Sequence, residues 1–194
     1  MRVLIACEYS GTMRDAFRAR GHDALSCDLL PSETPGPHYQ GPVQDILGDG
    51  WDLMIAHPPC THLAVSGARW FAGKQAEQAE ALAFVRLLLA APIPRIAVEN
   101  PVSVISSRIR KPDQIIQPWQ FGHEATKTTC LWLKGLPKLV PTNIVGKGAR
   151  HVTKSGKSLP QWYNLPPSAD RWKIRSATFQ GIADAMAEQW GNPC

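Results

Sequence analysis

The segment Asp52-Leu-Met-Ile-Ala-His-Pro-Pro-Cys-Thr-His62 decides the fold. It begins with an apolar run of strand length, which Pro58 and Pro59 end because each proline fixes φ and lacks a backbone donor. Cys60 follows in a rigid turn. In an open α/β sheet, ligands bind just beyond the carboxyl ends of the strands. The segment therefore predicts a thiol at a ligand site, with an inert buried cysteine beside a proline turn as the alternative.

A second segment, Arg95-Ile-Ala-Val-Glu-Asn-Pro101, repeats this pattern of an apolar run, a polar pair and a proline. Glu99 is therefore expected at the end of a second strand. If the two strands are parallel neighbours, Glu99 and Cys60 share one edge of the sheet. A thiol and a carboxylate placed together suit nucleophilic addition to an electron-poor ring, with proton transfer by the carboxylate.

The rest of the chain alternates between strand and helix patterns, which predicts an α/β fold with a mainly parallel sheet and helices on both faces. One domain of residues 1–194 is expected, with residues 141–175 as a small basic, substrate-facing insert. The predicted strands are Val3 to Cys7, Asp23 to Cys27, Trp51 to Ala56 and Ile96 to Val98, with further strands between Lys127 and Leu139. The predicted helices are Thr12 to Arg20, Lys74 to Ala91 and Ala177 to Trp190. Pro31 to Pro42 reads as an irregular loop, and Val43 to Leu47 as a short strand or turn.

The composition is that of an ordinary globular protein. The chain has 194 residues, is 44% hydrophobic and carries a net charge of +5, which permits a polyanionic partner. No apolar run approaches the length of a membrane helix, and the apolar start is too short for a signal peptide, so a cytoplasmic protein without a membrane partner is expected. Five cysteines without a Cys-x-x-Cys pair argue against a disulfide framework.

A metal site is one alternative for the segment around Cys60. His57, Cys60 and His62 are residue types that bind zinc. The intervening prolines hinder chelation by such close neighbours, and a fourth ligand is not evident. We therefore expect no metal at this position.

Pro58-Pro59-Cys60 followed by Glu99-Asn100-Pro101 resembles the two catalytic motifs of the DNA cytosine-C5 methyltransferases. The order of the motifs agrees, and the resemblance extends from about Arg2 to Trp190. The chain is similar to a compact, phage-like member of that family. The resemblance implies a Rossmann-like fold that binds S-adenosylmethionine.

The same resemblance implies the residues that bind the cofactor. The turn at Glu8, Tyr9, Ser10 and Gly11 follows the first strand and precedes a helix, where backbone N–H groups point toward a ligand. Gly11 matches one of the glycines of the family, whereas Tyr9 and Thr12 replace others. The remaining cofactor residues implied are Asp28, Leu29, Asp45, Ile46 and Pro58.

The chemistry implied is methyl transfer to carbon 5 of cytosine. Cys60 would add to carbon 6, and a protonated Glu99 would stabilise the charge that develops on the ring. His57 and His62 are candidates for the positive charge that favours the thiolate. The expected partner is DNA, duplex or single-stranded, whose target base must leave the stack. The residues expected to contact the substrate are Pro59, Asn100, Lys127 and Thr129.

The family's large target-recognition domain has no counterpart here, because only residues 141–175 separate the last two motifs. The insert contains basic and aromatic residues that suit contacts to phosphates and bases, with a solvated loop and buried tryptophans as the alternative. They are Lys147, Arg150, Lys154, Lys157, Arg171, Lys173, Arg175, Trp162, Tyr163 and Trp172. Two other functions stay open: an enzyme acting on a free pyrimidine nucleotide or another nucleic acid, and a non-catalytic nucleic-acid-binding protein. The sequence does not set the oligomeric state.

Overall fold

The structure is a computed structural model that describes residues 1–71, 73–164, 166–168 and 171–192. The side chains of Arg69, Trp70 and Trp172 are not among the described parts. The expected base contact by Trp172 therefore lies outside the description, as does Cys194.

A seven-stranded sheet forms the centre of the fold, in the order β3-β2-β1-β4-β5-β7-β6. Strands β1 to β5 are parallel, and β7 runs antiparallel to both of its neighbours. The strands are β1 Arg2–Ala6, β2 Asp23–Asp28, β3 His38–Gln40, β4 Leu53–Ala56, β5 Arg95–Asn100, β6 Gln114–Ile116 and β7 Thr129–Lys134.

Helices cover both faces of this sheet, so its central strands are apolar on both sides. The helices are α1 Thr12–Arg18, α2 Gln75–Leu89, α3 Ile105–Arg108, α4 Arg171–Ser176 and α5 Gln180–Gly191. Alternate strand residues face α1 and α5 in one core, which contains Val3, Ile5, Leu53, Ile55, Phe17 and Trp190. The other core lies between the sheet and α2, and contains Leu4, Met54, Ile96, Val98, Leu82 and Val85.

The predicted α/β class, with a mainly parallel sheet and helices on both faces, is confirmed. Four of the strands and all three long helices form where they were expected, within a few residues at their ends. The short strand or turn expected at Val43 to Leu47 is a 3₁₀ turn at Val43–Asp45. Two local predictions were wrong. Strand β3 lies in the loop expected to be irregular, and the Lys127–Leu139 region contains one strand, which pairs with β5 and β6.

The segment 141–175 contains a small hairpin rather than only irregular chain. Strands β8 Arg150–Val152 and β9 Ser158–Pro160 pair antiparallel and form a separate two-stranded sheet. A 3₁₀ turn at Gln161–Asn164 follows, and α4 begins at Arg171. The role of this segment as a substrate-facing insert stays a prediction.

A buried guanidinium holds the loop that follows β2. Arg14 of α1 is fully buried and donates to Ser26 Oγ at 3.1 Å, to Ser32 Oγ at 3.0 Å and to Thr34 Oγ1 at 2.7 Å. It also donates to the carbonyl of Pro35 at 3.1 Å. One side chain therefore connects the helix, the second strand and the loop beyond it.

We expect Arg14→Met to lower the free energy of unfolding by about 3 kcal/mol, because several buried acceptors lose their donor at once. Urea unfolding of the purified protein measures this change. Arg18→Met, an exposed substitution on the same helix, is the matched control and should change stability by less than about 0.5 kcal/mol. Equal losses in the two variants would contradict this account of the loop.

Candidate active site

The carboxyl ends of β4 and β5 bring the two segments singled out in the sequence together. These strands are parallel neighbours, with Ala56 paired to Val98. The next residues along each strand, His57 and Glu99, therefore lie side by side. His57 Nδ1 is 3.2 Å from Glu99 Oε2.

The Pro-Pro-Cys turn is tied to the end of β5 by a buried amide. Asn100 Nδ2 donates to the carbonyl of Pro58 at 2.9 Å, and Asn100 is 1% exposed. The chain beyond Cys60 is connected to the chain beyond Asn100 by the hydrogen bond from Val65 N to Val102 O, at 3.0 Å. Cys60 is exposed at the start of its turn. Its position relative to β5 is thus set by backbone and amide hydrogen bonds.

One cavity of about 850 Å³ lies beyond these strand ends. Ten of the residues expected from the sequence line it: Glu8, Tyr9, Ser10, Asp28, Pro58, Pro59, Cys60, Glu99, Asn100 and Lys127. The thiol and the carboxylate that were expected to converge are therefore in a single cavity. This is the volume of a site for a cofactor-sized ligand, about 300–1,000 Å³.

Thr129 and Gly11, two of the expected site residues, lie beside the cavity rather than in its wall. Thr129 lines a smaller adjoining cavity together with His57 and Glu99. Gly11 precedes α1 with φ +81°, and a Cβ there would clash with Thr34 Oγ1. Only glycine fits this turn, which holds the cavity-lining residues before it in place.

Leu29, Asp45 and Ile46 are also not in the cavity wall. The Tyr39 hydroxyl donates to Asp45 Oδ2 at 2.7 Å, and Ile46 packs in the core on the α2 side of the sheet. Leu29 is 71% exposed. These three residues thus do not line the cavity with the other expected cofactor residues, and their role in cofactor binding stays a prediction.

Glu8 presents an unsatisfied oxygen at the cavity. Its Oε1 accepts hydrogen bonds from the backbone N–H of Met13 at 2.8 Å and from Ser10 Oγ at 2.9 Å, which caps the start of α1. Its other oxygen, Oε2, is buried and has no hydrogen-bond partner among the described residues. A buried carboxylate oxygen without a donor is costly, so this site favours a ligand that brings one.

The Cys60 thiol is predominantly protonated in the resting cavity. Burial and the negative charge of Glu99 raise the pKa of Cys60, while the positive charges of Lys127 and Arg175 act in the opposite direction. Only the thiolate is a strong nucleophile. The balance between Glu99 and these two cations therefore controls how reactive the sulfur is.

Glu99 is ionised in the same cavity. Burial raises the pKa of Glu99, but the hydrogen bond and charge of His57, the charge of Lys127 and a hydrogen bond from Thr129 outweigh it, so the net pKa is below the usual value. The protonated Glu99 expected from the sequence is therefore not the resting form. His57, expected to support the thiolate, is instead paired with Glu99.

Four residues of the basic and aromatic segment 141–175 form a further part of the cavity wall. Trp162, Tyr163, Lys173 and Arg175 line it, and Lys173 Nζ is 3.4 Å from Glu33 Oε1, which also lines it. The basic and aromatic composition of segment 141–175 was the available signal, but composition does not tell which of these side chains face inward.

Cys7 is a residue that the sequence did not single out. It lines the cavity directly after β1 with φ +59°, a conformation that non-glycine residues seldom adopt. Burial, together with Asp28 and Cys27, raises the pKa of Cys7 to about 12. Its thiol is thus protonated at neutral pH, and its backbone leads into the Glu8–Ser10 turn that lines the cavity.

In the described part of the chain, no group of three or more His, Cys, Asp or Glu side chains is arranged to hold a metal ion. Within the same ranges, no helix has the length and apolar character that crossing a membrane requires.

Comparisons with known proteins find distant likenesses among solved structures. No protein-family model matches the chain, and no curated protein is similar to it. A solved structure from E. coli, provisionally described as a DNA modification methyltransferase encoded within a prophage, is 14% identical, with a TM-score of 0.48. The match covers 76% of this chain and 53% of that one, so the chain spans about half the length of that protein. At this distance the likeness says nothing about function.

Acidification should remove the contribution of Glu99 to stability. The folded-state pKa of Glu99 is below its ordinary value of 4.5, so its ionised form favours the folded state above that pH. This contribution is lost as the pH falls through the lowered pKa. We therefore expect the difference in unfolding free energy between wild type and Glu99→Gln to shrink from about pH 5 to about pH 3.

Urea unfolding of both proteins at several pH values measures this difference. Repeating the pair in a His57→Gln background is the control, because that background lacks the imidazole that lowers the pKa of Glu99. In the His57→Gln background, the difference in unfolding free energy should depend less on pH. A difference that stays constant over the whole range would show that Glu99 has no lowered pKa.

Proposed function

We propose that this protein transfers a methyl group from S-adenosylmethionine to carbon 5 of cytosine in DNA through a covalent adduct with Cys60. The observation that carries the proposal is the convergence of Cys60 and Glu99 on one cavity, with Asn100 and Lys127 beside them. Cys60, Glu99 and Asn100 belong to the two segments whose resemblance to the DNA cytosine-C5 methyltransferases is most specific.

The residues on the β1 and β2 side of the cavity fit S-adenosylmethionine. The unpartnered Glu8 Oε2 suits a ligand rich in donors, and this cofactor carries an ammonium group and hydroxyls. Asp28, at the end of β2, adds a second carboxylate to the same wall. Tyr9, Ser10 and Pro58 complete the set that would hold the cofactor. When bound, it supplies an electrophilic methyl group.

The remaining steps belong to this chain's own side chains. The Cys60 sulfur forms a bond to carbon 6 of the cytosine, and the electron pair of the 5,6 double bond moves toward carbon 5 and the N3 edge. The sulfur loses its thiol proton as this bond forms, and N3 of the cytosine gains a proton. Glu99 is ionised beforehand, so it can accept that proton and pass it on. After carbon 5 takes the methyl group, it loses its proton to a base, Cys60 leaves as a thiolate, and N3 releases the proton that it had gained.

The distribution of charge supports a polynucleotide as the substrate. Residues 125–183 contain ten Lys and Arg and a single acidic residue, whereas the rest of the chain contains eleven Lys and Arg and fifteen Asp and Glu. The basic stretch includes Lys127, Lys173 and Arg175 at the cavity and continues into the β8–β9 hairpin away from the central sheet. A single nucleotide needs cations only at the cavity, whereas a strand of DNA contacts them over a wider surface.

Two substitutions test the chemistry directly. Cys60→Ala should abolish methyl transfer while leaving the affinity for S-adenosylmethionine within about threefold of wild type, because the thiol acts on the base. Glu99→Gln should slow transfer by at least about 100-fold, since it removes the proton-transfer group. Isotopically labelled methyl transfer to duplex DNA, single-stranded DNA and dCMP, followed by mapping of the modified atom, measures both effects.

An oligonucleotide with 5-fluorocytosine tests the covalent step separately. Fluorine at carbon 5 cannot leave as a proton does, so the adduct should persist as a denaturation-resistant complex with wild type but not with Cys60→Ala. Transfer to dCMP alone would exclude DNA as the substrate. Normal turnover by Cys60→Ala would overturn the assignment of Cys60 as the nucleophile. Absence of both transfer and cofactor binding would favour a non-catalytic nucleic-acid-binding protein.

Charge removal at the hairpin tests the extended contact with DNA. Lys154 and Lys157 lie in the exposed tip between β8 and β9. Changing both to Gln should reduce the slope of log affinity against log salt by up to about two, because each phosphate contact contributes about one. Fluorescence anisotropy with labelled DNA measures this slope.

The matched control is Lys74→Gln with Lys111→Gln, which removes the same charge at exposed positions before the basic stretch. This control should leave the slope close to that of wild type. An equal loss in both double variants would mean that only the net charge of the protein matters.

A further inference from the structure

Lys127 is held in a cradle of aromatic rings at the wall of the cavity. Its ammonium lies 5.5 Å from the centroid of the Trp162 ring and 5.7 Å from that of Phe179. Both distances are within the range of cation–π attraction. The ammonium also donates to the carbonyl of Ala177 at 3.4 Å. These contacts fix a side chain that otherwise has four freely rotating bonds.

The cradle is itself anchored to the start of α5. Three rings form a row in the order Trp162, Phe179, His123. The centroids of Trp162 and Phe179 are 5.1 Å apart with the rings tilted by 49°, and the centroids of Phe179 and His123 are also 5.1 Å apart. His123 Nε2 accepts a hydrogen bond from the backbone N–H of Gly181 at 2.9 Å. Trp162 is the only ring of this row that comes from segment 141–175, because Phe179 and His123 lie outside it.

The position of this ammonium matters because it acts on both reactive groups. Lys127 lowers the pKa of Cys60 and of Glu99. The other charged or imidazole side chains that line the cavity are Glu8, Asp28, Glu33, His57, Lys173 and Arg175. Arg175 also favours the Cys60 thiolate, Glu99 opposes it, and Lys173 is paired with Glu33.

We propose that Trp162 is a positioning residue for Lys127, through which segment 141–175 sets the reactivity of the Cys60 thiol. With Phe179 it keeps the ammonium at the cavity wall, where thiol and carboxylate face a fixed positive charge. The inference deepens the proposed function, since it concerns the same site. Its test needs neither cofactor nor DNA, so failure here would leave the methyl-transfer proposal standing, and the reverse also holds.

The experiment is alkylation of the intact chain by iodoacetamide across a range of pH, with the adduct on the Cys60 peptide quantified by mass spectrometry. The midpoint of the rate profile reports how readily the thiol ionises. The plateau at high pH reports access to the sulfur. Removing a ring from the cavity wall cannot lower access, so the two effects are separable.

Trp162→Leu should move the midpoint to higher pH and slow alkylation at neutral pH by about three- to tenfold, with the plateau unchanged or higher. Trp162→Phe keeps a ring in place and should behave as wild type. Lys127→Met should shift the midpoint at least as far as Trp162→Leu. The double variant should shift it no further than Lys127→Met alone, because Trp162 acts through the lysine.

Trp119→Leu is the matched control. Lys147 lies 5.3 Å from the Trp119 ring in a similar pair, and neither residue lines the cavity. This variant should keep the wild-type midpoint. An unchanged midpoint in folded Trp162→Leu, or a further shift when it is added to Lys127→Met, would overturn the proposal. If Trp162→Leu does not fold, a wild-type midpoint in Lys127→Met overturns it equally.

Discussion

The parallel pairing of β4 with β5 is the constraint on which the site depends. Pairing Ala56 with Val98 places His57 level with Glu99 and lets the Asn100 amide reach the carbonyl of Pro58. A slip of one residue would turn every side chain of β4 to the opposite face of the sheet. The β4 residues that now pack against α2 would then face α1 and α5, and the reverse. The packing of the two cores therefore opposes the slip and maintains the register that aligns the reactive groups.

The parts of the site that sequence could predict are those that depend on local signals. An apolar run ended by proline marks a strand end, so Cys60 and Glu99 were expected at one edge of the sheet, and both line the cavity. Hydrogen-bond partners were not predictable in this way. Asp45 accepts a hydrogen bond from the Tyr39 hydroxyl, and His57 pairs with a carboxylate 42 residues away. The three-residue strands β3 and β6 are too short to show an alternating pattern.

The two reactive groups are held in opposite protonation states. Burial and Glu99 raise the pKa of Cys60, whereas His57 and Lys127 help to keep Glu99 ionised despite its burial. Under the proposed function, this arrangement keeps the thiol unreactive until the target cytosine enters the cavity. The proton that leaves the thiol neutralises Glu99 on its way to N3, so the carboxylate no longer opposes the thiolate while the sulfur attacks. When N3 takes that proton, Glu99 is ionised again and the sulfur is already bonded to carbon 6.

Segment 141–175 and the residues just after it form a wall shared by both halves of the cavity. Toward the end of β1, Ser176 Oγ is 3.4 Å from the Tyr9 hydroxyl, and Lys173 is paired with Glu33. Toward the strand ends of β4 and β5, Trp162 packs against Lys127. A chain with a separate recognition domain can change its substrate contacts without disturbing its chemistry. If the two proposals hold, the same short stretch contacts the cofactor and positions the charge near Cys60, so a change in recognition would also change the reactivity of the thiol.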